Sequence, residues 1–261
     1  MNIILGGDLR LYYTWEKLKQ KYDFTILNDG NTKPEEKSKY IEQIQSSEFV
    51  ILPAPITSDG KTLRGLEMFS LDDISELIPD NKTIDYQNNE KYVSYMAYLT
   101  AEGAVGDLLM NYNQALKDKR ITILGYGRIA NYLIDILTKF NCSITVVLRN
   151  MSKFDNAKHK NIKRINFVGL NDSLMNTDII INTVPENVIP KEALDKLSEN
   201  VYLMELASKP GGFNYDYANK HCYNVVKLPG LPGICAPKSA GIFIADIISE
   251  NIDKVRKEKC K

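Results

Sequence analysis

Short apolar runs alternate with amphipathic stretches from one end of the chain to the other, the arrangement of repeated β-α-β units around a mainly parallel sheet rather than a sandwich or a bundle. Two series stand out. In the first, Ile3–Leu5, Phe24–Leu27 and Phe49–Leu52 read as strands, and the spacing predicts helices over Leu11–Lys21 and Glu35–Ile44 between them. The second runs Ile121–Leu124, Ile144–Leu148, Ile165–Val168, Ile179–Asn182, Val201–Leu206 and Val225–Leu228. Six strands are what a full doubly wound (Rossmann) parallel sheet needs. Between the series, Glu102–Leu116 has helical apolar spacing behind Thr100 as an N-cap, with Gly103 as its blemish. Near the end, Ser239–Lys257 places Ile242, Ala245, Ile248, Ile252 and Val255 on one helical face, after the Pro- and Gly-rich Leu228–Pro237. The expected fold is α/β, with a small substrate-side domain over residues 1–101, a connecting helix over 102–117, a cofactor domain over 118–237, and a C-terminal helix, 238–261, packing back toward the first domain.

Composition narrows the function classes. The 261 residues carry 33 Lys and Arg against 33 Asp and Glu, a net charge of zero, with 44% hydrophobic and 25% charged positions. That is an ordinary globular balance, and it lacks the basic excess that phosphate-tracking nucleic-acid binders use. No apolar run reaches the roughly 18 residues of a membrane span. The chain begins at the strand-like Met1-Asn2-Ile3-Ile4-Leu5, so a cytoplasmic protein with no membrane partner is expected. Cys142, Cys222, Cys235 and Cys260 are widely spaced and have no histidine cluster near them, which predicts reduced thiols and no metal site. His159 and His221, the two histidines, lie in polar stretches and suit surface or packing roles. An alcohol oxidation driven by a histidine base is therefore disfavoured.

The most informative segment is Ile121-Thr-Ile-Leu-Gly125-Tyr126-Gly127-Arg128-Ile129-Ala130, an apolar strand running through a Gly-x-Gly-x-x-Ala turn into an apolar helix. Gly125 permits the turn, Gly127 lets a pyrophosphate approach the backbone, and Ala130 lets helix and strand pack closely. The helix N-terminus, at Arg128 and Ile129, then faces the anion. At the end of the next strand, 24 residues past Gly125, stands Arg149, followed by Asn150, Ser152 and Lys153. No carboxylate occupies the place that would receive a ribose 2′-hydroxyl, and a planar guanidinium suits a 2′-phosphate, so NADP is the expected cofactor. The strand ending at Asn182-Thr183-Val184-Pro185 points the same way, with Asn182 and Thr183 expected at the nicotinamide ribose.

Other loops offer a substrate site. Leu203–Gly212 ends a strand at Ser208 and Lys209, and Leu228–Gly241 is too rigid and apolar for an idle linker, with Lys238 and Ser239 opening the last helix. In Gly6-Gly7-Asp8-Leu9-Arg10 the glycines are expected to expose backbone N–H groups while Arg10 clamps a carboxylate. If strand ends of both domains meet at one cleft, Arg10, Lys209 and Lys238 surround it and suit a dicarboxylic acid. Pro53–Thr62 reads as a lid or a plain long loop.

Taken together, Gly6–Arg10, Gly125–Ala130, Ser208–Gly212 and Leu228–Gly241 resemble the dipicolinate synthase A-chain family, a likeness extending over nearly the whole chain. Glu205 and Lys209 stand where that family is expected to carry Asp and Arg, and Cys235 where it carries Val. Thr100-Ala101-Glu102-Gly103 is similar to the family's Thr-x-Glu-Gly, which brings in Glu102. The resemblance implies an NADP-dependent oxidation and dehydration of 4-hydroxy-tetrahydrodipicolinate, a product of the early lysine pathway, to dipicolinate during sporulation. It also implies, as partner, the flavoprotein-like second subunit of dipicolinate synthase, and the mother cell of a spore former as location; a homo-oligomer is expected as well. On that reading Gly7, Asp8, Arg10, Ser208, Lys238 and Ser239 bind substrate, and Glu102, Lys209 or Lys238 acts in catalysis. Two readings stay open beside it: another NADP-dependent imine or oxo-acid dehydrogenase, and a non-catalytic dinucleotide-binding protein that supports a partner enzyme.

Overall fold

A computed structural model describes residues 1–78, 85–155, 158–198 and 200–259, and Cys260 lies outside them. The chain divides into two units, Met1–Met96 with Pro232–Lys261, and Ala97–Leu231.

In the second unit six parallel strands, β4 (Arg120–Leu124), β5 (Ser143–Val147), β6 (Lys163–Ile165), β7 (Ile179–Asn182), β8 (Tyr202–Glu205) and β9 (Val225–Lys227), pair in the order β6-β5-β4-β7-β8-β9. Numbered from the unit's own first strand this is 3-2-1-4-5-6, the doubly wound dinucleotide-binding order, whose direction of winding reverses between β4 and β7. Both faces are covered. Ile121, Ile123, Val146, Ile179 and Met204 share one apolar cluster, while their chain neighbours Leu124, Val147, Ile180 and Leu203 share the other. Alternating side chains of one strand thus enter opposite layers, which is why these strands read as continuous apolar runs. The helix α5 (Arg128–Leu137) buries Ala130, Leu133, Ile134 and Leu137 against the first cluster, at the i, i+3, i+4, i+7 spacing its sequence shows.

The first unit holds the parallel sheet β2-β1-β3, formed by β1 (Asn2–Leu5), β2 (Phe24–Leu27) and β3 (Val50–Ile51). Ile4 packs with Leu11 and Leu18 of α1 (Leu9–Leu18) and with Ile244 and Ile248 of α10 (Pro237–Lys259). Ile3 and Leu5 face the other way, onto Tyr40 and Ile44 of α2 (Lys37–Gln45) and onto Leu63, Leu66 and Phe69. The close approach of α1 and α10 has one cause. A Cβ on Gly241 would stand 2.4 Å from the Arg10 carbonyl oxygen, and the Thr14 hydroxyl lies 2.8 Å from that oxygen and 3.0 Å from the Gly241 carbonyl.

Several sequence expectations change. The helix expected to open at Glu102 is α4 (Glu90–Asn111), which starts earlier because the Asn89 side chain accepts the backbone N–H groups of Lys91 at 2.9 Å and Tyr92 at 3.4 Å. Thr100 is therefore an interior residue and caps nothing, and Glu102 lies mid-helix. The strand expected over Ile165–Val168 ends at Ile165, where Asn166 caps a short turn by accepting from the Gly169 N–H. Leu228–Pro237, expected as a loop, contains the short helix α9 (Leu231–Cys235). The helix α3 (Leu71–Leu77) has no counterpart in the sequence reading. It is set by a capping box between Ser70 and Asp73, in which each side chain receives the other residue's backbone N–H.

Candidate functional site

The Gly-x-Gly-x-x-Ala turn leaves β4 at the point where the strand order reverses and enters α5. Its two glycines do different work. Gly125 has φ +96°, and a Cβ there would come within 2.5 Å of the Thr183 hydroxyl, so the fold itself requires glycine. Gly127 has φ −90°, is exposed, and has nothing within 4 Å of where a Cβ would stand. Nothing in the fold asks for glycine at that position. It caps α5 without offering a side chain to the first-turn N–H groups, the arrangement that receives a pyrophosphate. The residues present therefore fit a dinucleotide. Tyr126 is held from beneath, stacked on Phe154 at 4.9 Å with the His159 ring edge-on at 5.9 Å.

His159 is buried, and its Nε2 lies 3.2 Å from Asn131 Oδ1, a packing role. Burial, followed by the charge of Lys158, pulls its pKa below the ordinary histidine value despite Asp135 and Asp155. A lowered folded-state pKa means that the unfolded chain takes up the proton first. The stability contributed is thus present above about 6.5 and drains as pH falls from there toward the folded pKa. The ring is expected to titrate below 6.5 by NMR, and a midpoint at or above that value would show that it is solvated.

Asn182, Thr183 and Val184 follow β7. Asn182 is fully buried, donates to Glu205 Oε1 at 2.6 Å and the Val184 carbonyl at 2.9 Å, and accepts from the Val184 N–H at 3.1 Å. It cannot reach a ribose, so its expected cofactor contact is corrected to a structural role. The Thr183 hydroxyl is likewise turned inward, donating to the Leu124 carbonyl at 2.7 Å, while Pro185 is exposed. The partner that the sequence reading left without a role is Glu205. This buried carboxylate also accepts from the N–H groups of Ala207 at 2.9 Å and Gly212 at 2.7 Å and from the Tyr215 hydroxyl at 3.0 Å. It closes the turn that carries Ser208 and Lys209, both exposed.

At the end of β5, Arg149 pairs with Glu186, which follows β7, so the pair joins loops beyond the two strands that flank β4. Both side chains are more than 60% exposed. The pair is worth about 0–1 kcal/mol at such exposure, too little to fix Arg149 in this geometry. Asn150 Oδ1 accepts from the Ser152 N–H at 3.0 Å and from its hydroxyl at 2.6 Å, which shapes the turn that exposes Lys153.

In the first unit the turn after β1 departs from expectation. The Gly6 and Gly7 N–H groups are not offered to a ligand, because they donate to the carbonyls of Leu27 at 2.7 Å and Arg64 at 2.6 Å. Arg10 is not an open clamp either. Its Nε and Nη2 bind Asp8 at 2.8–3.1 Å and Nη2 also donates to the Ala54 carbonyl at 3.1 Å. Asp8, whose side chain caps α1 through the Arg10 N–H, receives Arg64 Nη2 at 2.7 Å as well. Burial pushes the Asp8 carboxyl up, but the Arg10 hydrogen bond and the charges of Arg10 and Arg64 outweigh it and hold the pKa below the usual carboxylate range. Gly233, from the segment singled out in the sequence, leaves room over this pair, since a Cβ there would lie 3.2 Å from both Arg10 Nε and Asp8 Oδ2. Lys238 and Ser239 are exposed in the first turn of α10, and Glu102 is exposed on α4, accepting from the Tyr98 hydroxyl at 3.1 Å.

Residues 92–208 match the family described as D-isomer specific 2-hydroxyacid dehydrogenase, NAD binding domain, a match that stops short of Leu228–Gly241. The A chain of dipicolinate synthase from Bacillus subtilis (strain 168) is 25% identical over 167 residues, 64% of this chain. The protein is similar to the dipicolinate synthase A chain. The aligned part spans 56% of that relative's length. In fold the likeness runs nearly end to end. The crystal structure of the dipicolinate synthase A chain from Bacillus subtilis has a TM-score of 0.82 at 20% identity, covering 98% of this chain and 97% of that one. The corresponding crystal structure from Bacillus halodurans has a TM-score of 0.78 at 20% identity, covering 95% and 96%.

Arg64 and Glu186 were missed by sequence reasoning. Arg64-Gly65 sits in an unremarked loop, and nothing local links it to Gly6–Asp8; Glu186 follows a proline that read only as a strand end.

Proposed function

We propose that this chain is the NADP-dependent oxidoreductase component of a dipicolinate synthase. The reaction is loss of water from 4-hydroxy-tetrahydrodipicolinate and then of a hydride and a proton, leaving pyridine-2,6-dicarboxylate. The observation that carries the dinucleotide part of this reading is Gly127, a glycine at a helix N-terminus that the fold does not need and a pyrophosphate does, and the substrate rests on the likeness to the dipicolinate synthase A chain. The dinucleotide, when bound, supplies the hydride acceptor.

The chain's own residues bind and orient. Arg149, whose pair with Glu186 is exposed, would hold the 2′-phosphate, with Asn150, Ser152 and Lys153 beside it in a loop end that contributes no carboxylate of its own. Lys238 serves a substrate carboxylate, the Asp8–Arg10 pair supports the substrate side without contacting it, and Glu102 or Lys209 handles the proton. Aromatisation supplies driving force, so no histidine base is needed. A flavoprotein-like second subunit, self-association, and the cytoplasm of a sporulating mother cell belong to the same proposal.

Mixing the purified chain with NADP⁺ and freshly generated substrate, with and without the flavoprotein-like partner, is expected to produce the ultraviolet absorbance of dipicolinate. No product in either mixture overturns the reading. Arg149→Ala is expected to weaken NADP binding about tenfold, about 1.4 kcal/mol, and to leave NAD binding unchanged. Equal and unaltered affinities for both dinucleotides would remove the arginine from the 2′-phosphate site.

A further inference from the structure

Three glycines press two loops of the first unit together at Asp8. Gly6, Gly7 and Gly65 have φ +62°, +90° and +73°. A Cβ on Gly6 would stand 2.2 Å from the Arg64 carbonyl oxygen, and one on Gly65 would stand 2.2 Å from the Gly7 carbonyl oxygen. Backbone against backbone at that range admits no other residue. The consequence is that Arg64, 56 residues away in sequence, is delivered onto the carboxylate that Arg10 already holds. One anion and two cations leave a net positive charge in a small pocket, which Pro53, Ala54, Tyr86 and Tyr92 also line. The tyrosine rings meet edge-on at 5.6 Å.

The two arginines are not equivalent. Arg10 is 14% exposed and tied through Nε and Nη2 to Asp8 and to the Ala54 carbonyl. Arg64 is 27% exposed and touches Asp8 through Nη2, and its Nε and Nη1 have no hydrogen-bond partner among the described residues. A guanidinium fixed at one corner, with donors remaining on a fork, is prepared for bidentate recognition of a carboxylate. The partly buried, aromatic-walled setting strengthens such a contact over one in water.

We propose that this pocket binds one carboxylate of a small dicarboxylate, with Arg64 making the contact and Asp8 and Arg10 as positioning residues that hold it. Asp8 stays charged on lowering the pH because its arginines keep it ionised, so the positioning persists into mild acid. The choice of pyridine-2,6-dicarboxylate as first probe rests on the function proposed above, and the carboxylate chemistry does not.

The test is calorimetric titration of the full chain with pyridine-2,6-dicarboxylate, and with phthalate and glutarate as probes free of that choice. Arg64→Ala is expected to weaken the bound dicarboxylate at least tenfold with NADP affinity unchanged. Arg64→Lys, which keeps the charge but not the fork, is expected to recover part of the loss and stands in if the alanine variant does not fold. Asp8→Asn is expected to weaken dicarboxylate binding, with partial rescue by Asp8→Glu. Wild-type affinity in the Arg64 variants overturns the inference, as does failure of the wild type to bind any of the three probes. Arg64-dependent binding of phthalate or glutarate but not pyridine-2,6-dicarboxylate keeps the inference and counts against the proposed substrate.

Discussion

Gly127→Ala is expected to leave folding stability within about 1 kcal/mol of wild type while weakening dinucleotide binding about 100-fold, or about 2.7 kcal/mol. The stability half follows from φ −90°, which alanine adopts without strain, and from the open space where its Cβ would stand. Alanine caps a helix less well than glycine, and the loss of backbone freedom in the unfolded chain offsets part of that. The binding half follows because a methyl group there stands where a pyrophosphate must touch backbone. Gly125→Ala is the control with the opposite signature. It places a Cβ 2.5 Å from the Thr183 hydroxyl at φ +96° and is expected to cost about 1–3 kcal/mol of stability along with binding. Urea denaturation and dinucleotide titration separate the two. Wild-type affinity in Gly127→Ala would mean that no pyrophosphate lies against this turn.

The second large effect is expected at Glu205. Glu205→Ala strips a buried carboxylate from four donors, Asn182 Nδ2, the Ala207 and Gly212 N–H groups and the Tyr215 hydroxyl. Unsatisfied buried groups cost about 1–3 kcal/mol each when no water reaches them, and relaxation of the turn shares part of that, so a loss of about 3–5 kcal/mol is expected. The turn bearing Ser208 and Lys209 loosens with it. Glu205→Gln keeps the shape but turns an amide NH₂ toward donors, and a smaller loss of about 2–3 kcal/mol is expected from that mismatch. A measured cost below about 1 kcal/mol for the alanine variant would show that water replaces the carboxylate and that the network is not closed.

The strands were legible where each residue's partner lies in the next layer. Ile121, Ile123 and Leu124, and Ile179–Ile181, place apolar side chains on both faces because both faces are covered, and that pattern is written locally. The glycine turn was legible for the same reason, since strand, turn and helix follow one another within a few residues. Helix starts were not. Whether Asn89 or Thr100 begins α4 depends on which side chain folds back onto the backbone, and the aromatic run Tyr92, Tyr95 and Tyr98 disguises the helical period.

The chemistry of the side chains divided in the same way. Arg10 was expected to clamp a carboxylate and Asn182 to touch the nicotinamide ribose, yet each is bound internally, Arg10 by Asp8 and Asn182 by Glu205. Sequence by itself determined the α/β alternation, the six-strand series and the dinucleotide turn, but not that the Glu186 carboxylate stands against Arg149. Only the tertiary structure decided which polar groups face inward and which remain for a ligand. Hydrophobic periodicity is set by residues within a turn or two of chain, whereas Arg64 meets Asp8 across 56 residues through three left-handed glycines, a pairing that exists only once the two loops have closed.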